Sequence, residues 1–450
     1  MKSLVQVLLS VLFLQSHGET AFSSGSDCRE NLNVTGSAVR IEGTQLTSNA
    51  AIYTSADETF KHKFEVLKHA KYSILISTFT IKPDAWYAHD EIGKSLADIL
   101  IEKHRAGIEV KVFTDYWGNP PTTRAEIHRM IKAGVDIRFF GTPPYFFEFA
   151  KKSLKAIWTI NLEKLSHAKV MVVDGWHVFT GGYNWMLGKS KHVQSWRDTD
   201  IYVSGPIAQK VSQEFYWVFD TLKKITKCTG TAKKIYDYSQ VPQDFNDEFY
   251  LQAPWLRNGQ TPINDKIAQL IDSAKAGDQI YWQSFSFRVQ PPHLKALRGA
   301  AKRGVKITIL SNSKENLVKQ LFFIFEPLTR RVIANKLYRE ARQSYGPLLT
   351  LSSNNPAHLY EYSGPKGPMH AKAFLLLRRE TSEALKIGQE PSIYIGEGGA
   401  GTYNASPNSW DKHIETMLFT TRPSIIRDLY QTYLWDIANS VEVIKGTSLN

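Results

Sequence analysis

His167-Ala-Lys-Val-Met-Val-Val-Asp174 and His370-Ala-Lys-Ala-Phe-Leu-Leu-Leu377 are one pattern written twice, 203 residues apart. Each copy joins a His-x-Lys pair to an apolar, β-prone run. In a strand, residues i and i+2 share a face, so the spacing predicts each His beside its Lys with the alanine turned into the core. An imidazole next to an ammonium is a poor core pair, because burying an unpaired charge is costly. A single His-x-Lys means little. Two at matching positions point to paired chemistry.

The elements preceding both copies follow one order. Residues 72–81 read as a strand, 96–105 as a helix and 107–113 as a strand; 279–287, 294–303 and 304–310 repeat that order. Gly107 and Gly304 each stand where a helix ends on a C′ glycine. The near-constant offset predicts an α/β chain of two related halves, each a mixed β-sheet flanked by helices. The expected boundaries are a leader at 1–18, an extension at 19–46, a first half at 47–225, a connection at 226–250, a second half at 251–440 and a tail at 441–450. Insertions at 116–166 and 311–369 each precede a repeated His strand, which would put them at the rim of one shared cleft.

Composition bounds the function. The chain has 450 residues, 55 Lys+Arg against 43 Asp+Glu, and a formal charge of +12, which favours an anionic partner. With 42% hydrophobic and 22% charged residues it can build a sizeable core, and its two cysteines exclude a disulfide-dense scaffold. Lys2, the apolar run from Leu4 to Leu14 and Ser16-His17-Gly18 read as a cleavable export signal, too short for a membrane span. A secreted, lumenal or periplasmic location is therefore expected. There Cys28 and Cys228 could pair, although two free thiols fit the sequence equally, and Asn33-Val34-Thr35 would accept a glycan in a eukaryote.

Downstream of each His strand the match continues. Gly181-Gly-Tyr-Asn184 follows the first and Gly401-Thr-Tyr-Asn404 the second. Turn glycines let backbone approach a ligand, and an asparagine amide can donate to an oxyanion, though asparagine after glycine is also an ordinary turn residue. Trp196-Arg-Asp-Thr-Asp200 and Trp410-Asp-Lys-His-Ile-Glu415 each end in a carboxylate before a β-like run. A carboxylate can fix an imidazole's tautomer and stabilise its charged form. Asp200 and Glu415 are the candidates for that work, acting crosswise between the halves. Asp198 and Asp200 would alternatively pair with Arg197 on a surface.

On these residues the chain resembles the phospholipase D superfamily, whose motif is His-x-Lys-(x)4-Asp followed by Gly-Ser or Gly-Gly, x, Asn, once per half. His167, Lys169, Asp174, Gly181 and Asn184 match the first copy, with Gly182 in the Ser position. His370, Lys372 and Asn404 match the second, with Thr402 near the Ser position and Leu377 in place of the Asp. The resemblance spans about residues 47–440. It implies two phospholipase D-like halves forming a pseudo-twofold bilobal unit with one shared cleft, and a two-step phosphodiester exchange. One histidine attacks phosphorus to give a phosphohistidine, the other protonates the leaving oxygen, and water or an alcohol then resolves the intermediate. Lys169, Lys372, Asn184 and Asn404 would hold the non-bridging oxygens. His167, with the complete motif, is assigned as nucleophile and His370 as acid and base, an assignment the sequence permits to be reversed. Asp174, an odd seven residues after His167, is directed away from the imidazole by a regular strand and is expected to organise the turn.

Competing chemistries lack their signatures. No His-Glu-x-x-His, Gly-x-Ser-x-Gly or phosphate loop ending in Lys-Ser or Lys-Thr occurs, so no metal or other cofactor is expected. Lysines at 151–155, 189–191 and 223–227 could attract lipid headgroups or a nucleic-acid backbone. The aromatics at 144–149 and 321–325 could line the cleft for acyl chains, stack bases, or simply pack inside. A phospholipid or membrane surface is the favoured partner over nucleic acid, with no obligate protein partner. A metal-independent nuclease, and a non-catalytic anion binder with a degenerate second half, are the alternatives.

Overall fold

Strand β2 (Ser73–Thr78) is buried at all six positions and alternates between two cores. Ile74 and Ile76 face a layer of helices, while Leu75 faces the other half of the molecule. That double burial explains why its central Ile74-Leu75-Ile76 run is apolar on both faces. The computed structural model describes residues 49–81, 92–116, 118–119, 124–141, 164–186, 196–222, 246–321, 327–352, 355–364 and 367–443.

The first half contributes β1 (Ala50–Tyr53), β2, β3 (Glu109–Asp115), β4 (Asp136–Phe140), β5 (Val170–Val173), β6 (His177–Gly181) and β7 (Asp200–Ser204). They form a sheet in the order β1-β7-β6-β5-β2-β3-β4. The second half contributes β8 (Asp247–Gln252), β9 (Gln279–Gln283), β10 (Lys306–Asn312), β11 (His358–Tyr362), β12 (Ala373–Leu377), β13 (Gly396–Gly401), β14 (Glu415–Thr420) and β15 (Ser440–Glu442). Their order, read as β8-β14-β13-β12-β9-β10-β11-β15, repeats the first sheet strand for strand and adds β15 at one edge. In both sheets the three strands on the β4 or β11 side run parallel, and the β2–β5 and β9–β12 pairs are antiparallel. Each half is thus a mixed sheet flanked by helices.

Helices 56–68 and 92–105 cover the outer face of the first sheet, and helices 262–273 and 291–302 that of the second. Gly107 (φ 84°) and Gly304 (φ 86°) each adopt the left-handed conformation that follows a helix end. Between the sheets lies a shared core of Leu75, Val172, Val178 and Val203 with Tyr281, Leu375, Leu377 and Leu418. Helices 207–221 and 423–438 complete it.

Several details differ from the sequence reading. The strands begin at Val170 and Ala373, so His-x-Lys lies in the extended lead-in rather than in the sheet. The reason is that these lead-ins pair with the opposite half. The second insertion is largely helical, with helices 314–321 and 327–349. β8 begins inside the stretch read as the connection, and β15 runs into the stretch read as the tail. The leader, Asn33, Cys28, Cys228, the three lysine clusters and the aromatics at 144–149 and 322–325 fall outside the described residues.

Candidate active site

The backbone builds the site by reciprocal exchange between halves. The His167 amide donates to the Ile414 carbonyl (2.9 Å), and the Ile414 amide donates to Leu165 (2.8 Å). In the mirrored contact, the His370 amide donates to the Arg197 carbonyl (2.6 Å) and the Arg197 amide to Pro368 (3.0 Å). The residue after Ile414 is Glu415 and the residue after Arg197 is Asp198. Each histidine therefore receives a carboxylate from the other half as a direct result of the backbone pairing.

His167 Nδ1 lies 3.0 Å from Glu415 Oε2, and His370 Nδ1 lies 2.6 Å from Asp198 Oδ2. The two rings are 6.4 Å apart between centroids and inclined at 68°. A carboxylate at Nδ1 accepts a hydrogen bond from Nδ1–H and fixes that tautomer, which leaves Nε2 of each neutral ring with a free lone pair. Both carboxylates are buried. Burial pushes Glu415 up, but His167 and His413 hold it well below the usual carboxylate range. Asp198 is likewise pushed up by burial and held down by His370 and Lys372. Both imidazoles are pushed below their usual value, first by burial and then by the lysine two residues on.

Lys169 and Lys372 are buried, and each ammonium donates to the carbonyl of its own histidine, Lys169 at 2.8 Å. Burial and the charge of Lys372 lower Lys169 to about 7; burial lowers Lys372 to about 8, against the raising influence of Asp198 and Glu415. Phe79 stands 5.8 Å from Lys169 Nζ and 5.8 Å from the His167 ring. Phe285 takes the same place over Lys372 (5.9 Å) and His370 (5.8 Å). Asn184 is buried with its side-chain carbonyl unpartnered among the described residues, while Asn404 lies 3.4 Å from Ser284 Oγ.

Asp200 and Asp174 both stand away from the imidazoles. Asp200 reaches no imidazole: its carboxylate pairs with Lys63 at 2.6 Å beneath the Gly181 turn, and the group on His370 is Asp198. The shared signal was an acidic residue followed by threonine, Asp198-Thr199 and Glu415-Thr416. Asp174 lies at the far end of β5, at φ 55°, where it accepts the amides of Lys71, Tyr72 and Ser73. It organises that junction and stays away from the histidines. Arg197 is buried against Asp436 at 2.7 Å rather than against a surface aspartate.

A family model described as "Cardiolipin synthase, PLD-like domain" matches residues 64–219 and 267–437. The cardiolipin synthase of Alkalihalophilus pseudofirmus is 25% identical over 403 residues, covering 88% of this chain and 67% of that protein. The cardiolipin synthase of Halalkalibacterium halodurans is 25% identical over 404 residues, with 88% and 67% covered. Phosphatidylserine synthase of Haemophilus influenzae superposes with a TM-score of 0.60 at 13% identity, over 89% of each chain, which shows a common fold. These relatives overturn the expected secreted, lumenal or periplasmic location. The matching proteins are synthases of a membrane lipid, and their similarity gives no support to an exported phosphodiesterase.

Proposed function

Because the chain belongs to the family of phospholipase D-like cardiolipin synthase domains, we propose that it passes a phosphatidyl group from one phospholipid to an alcohol through a phosphohistidine. The chain is a phosphodiesterase-type enzyme, of the phospholipid headgroup transferase kind. The nuclease and the non-catalytic binder both give way to that assignment. An acceptor carrying a glycerol headgroup follows from cardiolipin itself, in which one glycerol joins two phosphatidyl groups.

The observation that carries this reading is the crossed pair of imidazoles, each with its Nδ1 on a carboxylate from the other half. His167 Nε2 attacks phosphorus while the bond from phosphorus to the leaving headgroup oxygen breaks. His370, in the fraction of the enzyme that Asp198 holds as the imidazolium, gives that oxygen its proton. His370 then takes the proton of the incoming hydroxyl, whose oxygen displaces His167 from phosphorus and restores the free enzyme. The closer carboxylate contact at His370 (2.6 Å, against 3.0 Å at His167) favours the imidazolium there and so the acid role. Lys169 and Lys372 supply positive charge to the non-bridging oxygens, with Asn184 and Asn404 at the margins. Two ammonium groups do the work a divalent ion would otherwise do.

The test uses phosphatidylglycerol labelled with ³²P and an alkaline quench, which preserves phosphohistidine. Wild type should carry label with a chelator present, and His167→Ala should carry none. His370→Ala should lose about 10²–10⁴-fold in turnover on lipid, yet still label with a nitrophenyl phosphodiester, whose leaving group needs no proton. Label on His167→Ala and none on His370→Ala would reverse the roles. No label on any form would remove the covalent step.

A further inference from the structure

A third histidine shares the His167 carboxylate. Glu415 gives Oε2 to His167; its other oxygen, Oε1, accepts Ser409 Oγ–H at 2.6 Å and lies 3.4 Å from His413 Nδ1. The His413 ring is 6.0 Å from the His167 ring and largely buried. Neither of its ring nitrogens has a hydrogen-bond partner among the described residues. Two unpaired ring nitrogens in a buried site are costly, and a small rotation would bring Nδ1–H onto Oε1. Among the described residues the second half-site holds no such group. Two residues before Asp198 stands Trp196, whose ring lies 4.9 Å from His370. The pseudo-symmetry is thus broken at this position, beside the histidine whose lone pair must attack.

We propose that His413 is a positioning residue for His167: its Nδ1–H closes on the free oxygen of Glu415 and holds that carboxylate in place while His167 bonds to phosphorus. As His167 attacks, positive charge develops on its ring, and the carboxylate on Nδ1 must meet that charge without moving. Ser409 and His413 together fix Glu415 by its far oxygen. Catalytic hydrogen bonds of this sort are commonly long in the free enzyme and tighten with substrate. The proposal rests on His167 being the nucleophile, as set out above.

The intact enzyme is assayed on phosphatidylglycerol in detergent mixed micelles, with kcat, KM, label appearance and label decay measured separately. His413→Asn places an amide donor near Nδ1 and should stay within about 3-fold of wild type. His413→Phe fills the volume without a donor; it should lose about 10-fold in kcat and in label appearance, with KM and label decay little changed. Should His413→Phe fail to fold, His413→Leu takes its place. A filler variant with wild-type kcat, or an asparagine variant as slow as the filler, overturns the proposal. An inert His167→Ala beside a fully active His413→Phe removes only the role of His413. A fully active His167→Ala removes the nucleophile assignment and this proposal with it.

Discussion

Lys169 and Lys372 are the residues on which pH should act first. Both are cations placed where there is little water, and each is depressed from the usual lysine range, Lys169 to about 7 and Lys372 to about 8. The sign follows directly. A lysine with a lowered pKa is charged below that value and neutral above it, so the grip on phosphate oxygens weakens as pH rises. Because kcat/KM reports groups of the free enzyme, it should fall as pH rises through about 7 to 8, steepening when the second lysine is lost. Lys169→Arg keeps its charge at any such pH. That variant should lose the first part of the alkaline fall, even though its planar head lowers the maximum. A kcat/KM profile from pH 5 to 10 for both forms checks this, and identical alkaline limbs would detach Lys169 from substrate binding.

At the scale of single elements, the turn after β6 decides whether Asp198 reaches His370. A Cβ on Gly182 would stand 1.8 Å from Asp198 Oδ1, so the carboxylate occupies the space of a side chain. Gly182→Ala must displace Asp198, and kcat should fall by about 10²-fold with a smaller change in KM. Gly346, whose added Cβ meets nothing within 4 Å, provides the control: Gly346→Ala should leave kcat unchanged. Unchanged turnover in Gly182→Ala would separate Asp198 from the chemistry. The repeated strands were legible because each carries a β-prone apolar run in the same order in both halves, and the two histidines because they stand at the same point of both repeats. Asp198 was not, since Asp198 and Asp200 share a face by alternation and the one that directly meets the β-like run is Asp200. Only the pairing of Arg197 with the His370 lead-in brings Asp198 forward. The loss of the second motif's aspartate has a similar local answer. Leu377 faces the core between the halves, and Asp278, just before β9, accepts the amides of Lys275 and Arg379 at the corresponding junction. The acid has moved to the other strand of the same pair.

At the scale of the whole molecule, the shared cleft exists only while the halves stay in register, and Arg197 is the strut between them. Its guanidinium forks onto Asp436 of the last long helix, at 2.9 and 2.7 Å, and Gln283 of β9 donates to the same carboxylate at 2.8 Å. Its backbone meanwhile pairs with Pro368 and His370. First-half residue, second-half helix and second-half strand thus meet in one buried charge pair, where the first-half ion is also the neighbour of Asp198. Removing one partner of such a pair strands the other charge, which costs about 3–5 kcal/mol, whereas replacing both by apolar groups is often near neutral. Arg197→Met alone should therefore lower the denaturation midpoint sharply, and Arg197→Met with Asp436→Leu should recover most of it. Turnover should behave differently. The double variant regains stability but not the fork that aims the backbone at Asp198 and His370, so its kcat should remain about 10-fold down. Chemical denaturation and kcat measured on the same three proteins decide the matter. Full recovery of both quantities would reduce Arg197 to a simple core contact, whereas recovery of stability alone would place the register of the halves under its control.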